Sequence, residues 1–514
     1  MKRLVATLLF AVLTVGAVCA QQPSTRQMEA VRQLQKLMQA YRNLERYYLD
    51  SLDHEGVTDG AIKGMLSTLD PHSSYISREE MESVEASIEG EFSGVGIEYQ
   101  LVRDTICVMG LIPGGPAERV GIEAGDRIVG IDTLQVVGIA QSRVPKLLRG
   151  ERGTKVELEV VRRGAERLRF TVLRDKIPLT TLDAAYMASE RVGYIKLNRF
   201  GRTTMTEFLE AYNRLGRPRR LILDLRGNGG GLLDQALKLA EFFLPKGSLL
   251  LTTEGRNEEP RRYYARQDGE LLAGRIAVLI DESSASASEI VAGALQDWDR
   301  ATIVGRTSFG KGLVQRQIPL GDGSAMRVTS SRYLTPSGRI IQRPYNKGDQ
   351  RGYYLDHLRG YSDSITDATP RYRSLEKGRT IYGGGGIRPD VRVESDTTEI
   401  STYYAHLVRR GILQQSVSDH LDRERKTLLA DYPALSDFLV RYTPSEQLVD
   451  ALKAAAERQQ ITPEEGAWTR SERLIKTQLK ALMAQRLYGV EGFYRVINPS
   501  YNESYIKALE LLGE

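Results

Sequence analysis

Residues 275–315, RIAVLIDESSASASEIVAGALQDWDRATIVGRTSFGKGLVQ, leave few options for the fold around them. An apolar run of strand length, 276–280, is broken by Asp281, Glu282, Ser283 and Ser284. From 285 to 298 the apolar residues Ile290, Val291, Ala294, Leu295 and Trp298 recur at helical spacing. The stretch is therefore a strand, a tight corner and a helix, with Ser284, Ser286 and Ser288 packed into the corner and the first helical turn. A serine at such a corner has free backbone N–H groups and the positive end of a helix dipole beside it. That setting suits a nucleophile whose reaction builds negative charge on an oxygen. Serines that only cap a helix leave the same pattern, so the corner needs a base before it implies chemistry.

The second half of the stretch supplies one. A further apolar run, 301–304, leads through Gly305 into Phe309, Gly310, Lys311 and Gly312. The five histidines (His54, His72, His357, His406, His420) all lie far from the serines in sequence. A lysine takes the histidine's part when burial lowers its pKa enough to free the amine, and Lys311 sits between glycines that let backbone pack close. The same glycines invite a phosphate-loop reading, with 221–224 as an acidic strand for magnesium. Gly312 stands where the metal-binding Ser or Thr belongs, and 313–318 has the pattern of a strand rather than a helix.

SASASE, followed by FGKG and a glutamine four residues beyond the lysine, resembles the serine–lysine tail-specific, or C-terminal processing, proteases. The resemblance implies Ser286 as nucleophile, Lys311 as general base and Gln315 as the residue that orients the lysine. It extends to a second strand–glycine turn–helix succession: strand 221–225, the turn RGNGGG over 226–231, and helix 232–243. Two such units imply a parallel α/β arrangement with ligands at the carboxyl ends of the strands. The family keeps an oxyanion-hole donor in this turn. Alignment favours the N–H of Gly230, paired with that of Ala287. Gly229 stands where many relatives carry proline, so the register is open by one residue.

From 90 to 176 the pattern changes to short alternating strands with glycine turns. Gly94, Val95, Gly96 and Ile97 form a glycine loop whose N–H groups suit capture of a chain-end carboxylate. The segment GPAERVGIEAGDRIVGID over 115–132 resembles the signature of a PDZ domain, and a helix over 141–148 would form the other wall of its groove. Arg149, at the end of that helix, is a candidate for relaying occupancy to the core; a cation complementing the helix dipole would look the same. His72, within the linker-like LDPHSSY over 69–75, is expected to be structural.

Composition limits the remaining choices. The 514 residues carry a formal charge of only +5, with both signs interspersed, which argues against nucleic acid or an anionic membrane as partner. Lys2 and Arg3, the apolar 4–18 and the small residues before Gln21 form a secretory signal peptide, cleaved after Ala20. Cys107 is then the sole cysteine, so no intramolecular disulfide or cysteine-ligated metal is expected, and no HExxH spacing exists. No later apolar stretch reaches membrane-spanning length.

The expected organisation is a signal peptide (1–20), an N-terminal helical region (21–89), a PDZ-like β-rich domain (90–176), an α/β peptidase core of mixed sheet with flanking helices (177–396) and a C-terminal helical region (397–514). Within the core, 346–377 is an insertion of unassigned role. The helical regions are expected over 27–49, 58–69, 400–413, 435–442, 444–459 and 469–488, packing on the core or on a partner subunit. The expected activity is that of an exported serine endopeptidase of the periplasm or cell envelope. It would act without metal or cofactor on chains with exposed, apolar C-terminal tails. A catalytically idle PDZ scaffold is the alternative.

Overall fold

The structure, a computed structural model, describes residues 25–513 except 103, 113, 163–165, 257–258 and 359–364; the signal-peptide expectation lies outside the described residues. They form two compact units, divided after Leu66. In the first, helix Thr25–Tyr47 is followed by helix His54–Ser67, and the Tyr41 hydroxyl meets His54 Nδ1 at 2.8 Å.

The second unit is built on a six-stranded sheet. Its strands in chain order are β1 (Leu182–Met187), β2 (Val192–Leu197), β3 (Arg220–Asp224), β4 (Arg275–Ile280), β5 (Thr302–Gly305) and β6 (Val391–Arg392). They neighbour one another in that order, β1 antiparallel to β2 and every later pair parallel. The runs in β3 and β4 are almost unbroken in hydrophobicity because the sheet is covered on both faces. Leu221, Leu223, Ile276, Val278 and Ile280 join the core beneath helices α1 (Thr204–Arg214), α2 (Leu233–Glu241) and α3 (Ala287–Asp297). The alternate residues Ile222, Ala277 and Leu279 pack with Tyr505, Ala508 and Leu512 of helix Glu503–Leu512. Truncating Leu223, which has no exposed surface, to Ala would cost about 2–5 kcal/mol.

The PDZ-like region joins the core through a two-stranded neck, Glu91–Gly94 antiparallel to Asp175–Pro178. Strand Glu91–Gly94 leads straight out of helix Arg78–Glu89, which starts at a capping box between Ser77 and Glu80. Beyond the neck, five strands pair in the order 97–102, 105–111, 127–131, 155–162, 166–173, with helix Val144–Leu148 packed on their core.

A second sheet holds the hairpin Leu313–Pro319 and Ala325–Leu334, whose second strand also pairs with Ser74–Ile76 and Leu249–Gly255. Part of the 346–377 insertion is helical, Gln350–Leu358, and lays Tyr353 edge-on over His72, 5.2 Å between centroids. Arg343 stacks on the same tyrosine at 4.0 Å.

The C-terminal region departs from the sequence expectation. Helices Thr402–Arg409 and Ile412–Asp431 are separate, because Gly411 adopts φ +67° between them. Apolar residues in the second are sparse (Leu413, Val417, Leu421, Leu428), so periodicity understated it. Beyond 488 two more helices, Val490–Tyr501 and Glu503–Leu512, return to the core sheet. Helix Ile412–Asp431 also touches the PDZ-like sheet: Asp422 pairs with Arg127 at 3.2 Å, and Cys107 is buried nearby.

Candidate active site

The serine corner lies at the carboxyl end of β4, beside the glycine turn that follows β3. Its three serines have different fates. Ser284 and Ser288 are fully buried and donate their hydroxyls to Leu225 O and Asn228 O, each at 2.9 Å. Ser286 alone of the three lines a cleft of about 540 Å³. Its backbone, at φ +54° and ψ −110°, is strained for a residue with a side chain, and held by its surroundings. Asn228 O also accepts from Ala285 N at 3.0 Å, so the corner and the glycine turn are stitched together by backbone.

The stitching continues into a buried charge network. Asp224, at the end of β3, accepts from the Tyr194 hydroxyl (2.7 Å) and from Arg226 through N (3.0 Å) and Nε (2.9 Å). Burial alone would raise its pKa, but Arg226 and Lys196 hold the carboxyl well below the usual range. Arg226 reaches on to Asn502 Oδ1 at 2.5 Å, so the C-terminal helices brace the turn.

Lys311 and Gln315 line the same cleft as Ser286. The lysine Nζ donates to Gln315 Oε1 at 2.9 Å, and Gln315 Nε2 donates to the carbonyl of His72 at 2.5 Å. That carbonyl is set by Asp70, whose carboxylate accepts from His72 N (2.9 Å), Ser73 N (3.0 Å), Ser73 Oγ (2.6 Å) and Thr329 Oγ1 (2.9 Å). Burial, and then the positive charge of Arg327, push the Lys311 pKa down, against Glu289 and Asp70. There is no hydrogen bond between Ser286 Oγ and Lys311 Nζ in this conformation.

Sequence reasoning missed the residue that ties the two halves together. Glu289, with no exposed surface, accepts from Ser286 N (2.8 Å) and Lys311 N (2.9 Å) through Oε2, and from Ser308 Oγ (2.5 Å) and Gly310 N (2.7 Å) through Oε1. Burial raises its pKa, and the four donors oppose that. An acidic residue in the first turn of a helix buried along its whole length is the signal that could have found it. The Tyr333 hydroxyl bridges the same halves, 2.8 Å from Lys311 O and 3.2 Å from Ser286 O.

The expected oxyanion donors divide. Ala287, at the first turn of α3, lines the cleft, and its N–H has no acceptor among the described residues. The Gly230 N–H donates to Asn228 Oδ1 at 2.9 Å in this conformation. What Gly230 contributes is the absence of a side chain. At φ +100°, an added Cβ would meet Ser286 Cβ at 2.8 Å and Ala287 N at 2.9 Å. Gly229 and Gly231, which line the cleft on either side, keep N–H groups without acceptors among the described residues.

The PDZ candidates lie apart from this cleft. Gly94 ends the neck strand, Ile97 opens the first strand of the β-rich sheet, and Val95 and Gly96 turn between them, Gly96 at φ +78°. Val95 O and Gly96 O are taken by Ala117 N (2.9 Å) and Ile112 N (3.0 Å), while the Val95 and Gly96 N–H groups have no acceptor among the described residues. Arg149 stacks on Phe92 of the neck strand, 4.5 Å from its centroid. That strand continues from the helix whose Val84, Ser87 and Ile88 wall the serine cleft. A larger cleft of about 790 Å³, between α1, α2 and strand Arg261–Tyr264, holds none of the candidate residues.

Comparison with known proteins agrees with this architecture. Residues 191–349 match Peptidase family S41, 108–162 a PDZ domain, 14–80 the N-terminal domain of the activating protease CtpB, and 403–489 a family of unknown function. The chain is 38% identical over 327 residues to a carboxy-terminal-processing protease of Bartonella bacilliformis, covering 62% of this chain and 75% of that one. It is 32% identical over 349 residues to the carboxy-terminal processing protease CtpA of Bacillus subtilis, covering 67% and 74%. Among solved structures, the photosystem II D1 C-terminal processing protease aligns at 26% identity, with 70% of this chain and 92% of that one covered and a TM-score of 0.36. The chain is thus a serine-type peptidase with a PDZ domain, and it belongs to the S41 family of carboxy-terminal-processing proteases.

Proposed function

We propose that this chain is an exported endopeptidase that captures the C-terminal tail of a protein in its PDZ groove and cleaves the chain through a Ser286–Lys311 dyad. Neutral Lys311 Nζ takes the hydroxyl proton as Ser286 Oγ forms a bond to the peptide carbonyl carbon. The Ala287 N–H and one from the 229–231 turn stabilise the oxyanion. Lys311 then gives the proton to the departing amine as the C–N bond breaks. Water hydrolyses the acyl-enzyme with Lys311 again accepting a proton, and Ser286 is restored. Gln315, held by the His72 carbonyl, aims the amine. The observation that carries this reading is that Ser286 is the one corner serine on the cleft that Lys311 shares, while Glu289 binds the backbone of both. The names of its relatives support tails as substrates, and their bacterial sources support an envelope location. The test is to incubate unfolded proteins with the wild type and with Ser286→Ala and to map new termini by mass spectrometry. Cleavage by the wild type alone is expected. Equal cleavage by the variant would overturn the assignment, and none by either would favour a tail-binding scaffold.

A further inference from the structure

The cleft that holds Ser286 is lined by three basic side chains, Arg199, Lys311 and Arg327, and by no Asp or Glu. Two of the three are engaged. Lys311 donates to Gln315, and Arg199 donates to Leu179 O at 2.5 Å. Arg327 is half-buried, and its side chain has no hydrogen bond or ion pair among the described residues. Its backbone is fixed, because its strand is paired on both sides, with Ser74 and with Gln317 directly opposite Arg327. Gln317 lines the same cleft, two positions beyond Gln315 and hence on the same face of the strand. Arg327 therefore stands about 7 Å further along the cleft than the glutamine that aims the base.

A half-buried guanidinium without a counter-charge is unfavourable until something supplies acceptors, and its planar fork fits a carboxylate in bidentate fashion. We propose that Arg327 is a specificity residue that binds a carboxylate of the substrate about two residues from the scissile bond. The inference rests on the reading of this cleft as the catalytic one. The carboxylate has two sources, an Asp or Glu side chain within the chain or the α-carboxylate of a tail that ends there. The second would let the enzyme trim short tails without the PDZ groove.

The experiment uses the full chain and peptides built around one cleavable sequence, with a single Glu or Gln walked through the positions flanking the scissile bond. A further pair ends shortly after that bond as free acid or amide. At one position the wild type should prefer Glu to Gln about tenfold in kcat/KM, and the acid/amide pair shows whether a chain end is accepted too. Arg327→Gln should bring the ratio close to one, and Arg327→Lys should keep part of it. A ratio within one variant cancels any general effect on Lys311 or on folding. Fluorescence-anisotropy binding of the same peptides to Ser286→Ala should repeat the preference, which separates carboxylate recognition from Ser–Lys chemistry. Equal rates and affinities across every pair, or a preference that survives Arg327→Gln, overturn the proposal.

Discussion

The serine half and the lysine half of the cleft are held in different ways. Around Ser286, neighbouring hydroxyls and amides are committed at short range: Ser284 to Leu225, Ser288 and Ala285 to Asn228, and Gly227 N to Asp281 Oδ1 at 3.0 Å. These partners lie just beyond the carboxyl ends of the adjacent parallel strands β3 and β4, so the corner is fixed wherever the sheet is folded. The amine of Lys311 instead rests on a single thread, Gln315 to the His72 carbonyl to Asp70, and Asp70 lies more than two hundred residues earlier in the chain. The difference teaches that the Ser286 corner is held by local backbone while the Lys311 amine depends on distant segments.

The largest effect comes from removing either half's reactive group. Ser286→Ala and Lys311→Ala should each lower kcat by about 10³–10⁶-fold while far-UV circular dichroism stays native. Lys311→Arg should fail too, because a guanidinium keeps its proton at any useful pH. Activity should rise with pH to a plateau, since the working amine must be neutral; its acidic limb lies below the ordinary lysine value because burial and Arg327 lower the pKa. Robust turnover in any of the three variants, or an acidic optimum, would remove the dyad.

Glu289 is the point where the two halves meet, and breaking it should affect both stability and rate. In Glu289→Gln one oxygen becomes an amide that faces two N–H or O–H donors, leaving donors buried without acceptors. That should cost about 2–5 kcal/mol in denaturant unfolding and lower kcat by roughly a hundredfold with a smaller change in KM. A variant as stable and as active as the wild type would show that the halves are held by other contacts.

The sequence pattern reports the elements of the site directly and the contacts that tie them together poorly, for one reason. The corner, the glycine turn and the crossover helices are made by neighbours in the chain, and 3.6- and 2-residue periodicities report such structure directly. The strand pattern over 313–318 is legible in the same way. The His72 carbonyl is a backbone atom, which no residue pattern advertises, and Glu289 has the composition of an ordinary capping residue. Asn228 takes the Gly230 N–H by a side-chain geometry that a glycine-rich run conceals. The helices after 488 carry Pro499 and Asn502 at their junction, which mask periodicity.

A tenfold effect should separate the cleft from the PDZ groove. On the proposed capture of a chain end by the Val95 and Gly96 N–H groups, a peptide ending in an amide loses charge-assisted contacts, so its kcat/KM should fall about tenfold relative to the free acid, with the scissile bond unchanged. Arg149→Ala, which removes the stack on Phe92 at the neck, should narrow that gap if occupancy is relayed through the helix walling the cleft. Equal rates for acid and amide in the wild type would refute carboxylate capture, and an unchanged gap in Arg149→Ala would refute the relay.

The smallest effect sharpens the contrast at the far end of the thread. His72 has its pKa lowered to about 4, first because burial disfavours the imidazolium and then because Lys311 and Arg343 add positive charge, with Asp70 opposing. The unfolded chain keeps the ordinary value near 6.5, so between about 4 and 6.5 it binds more protons than the folded one. The contribution is therefore complete above about pH 6.5 and is lost as pH falls through the folded pKa, up to roughly 3 kcal/mol. His72→Phe keeps a ring against Tyr353 and Phe309 and leaves the backbone carbonyl for Gln315, but it cannot titrate. Its Tm should fall less than that of the wild type between about pH 7.5 and pH 4.5. The serine half, whose Asp224 is held ionised to far lower pH, should contribute nothing to that difference. An identical fall in both proteins would show that acid reaches the molecule somewhere other than the segment that holds the Lys311 amine.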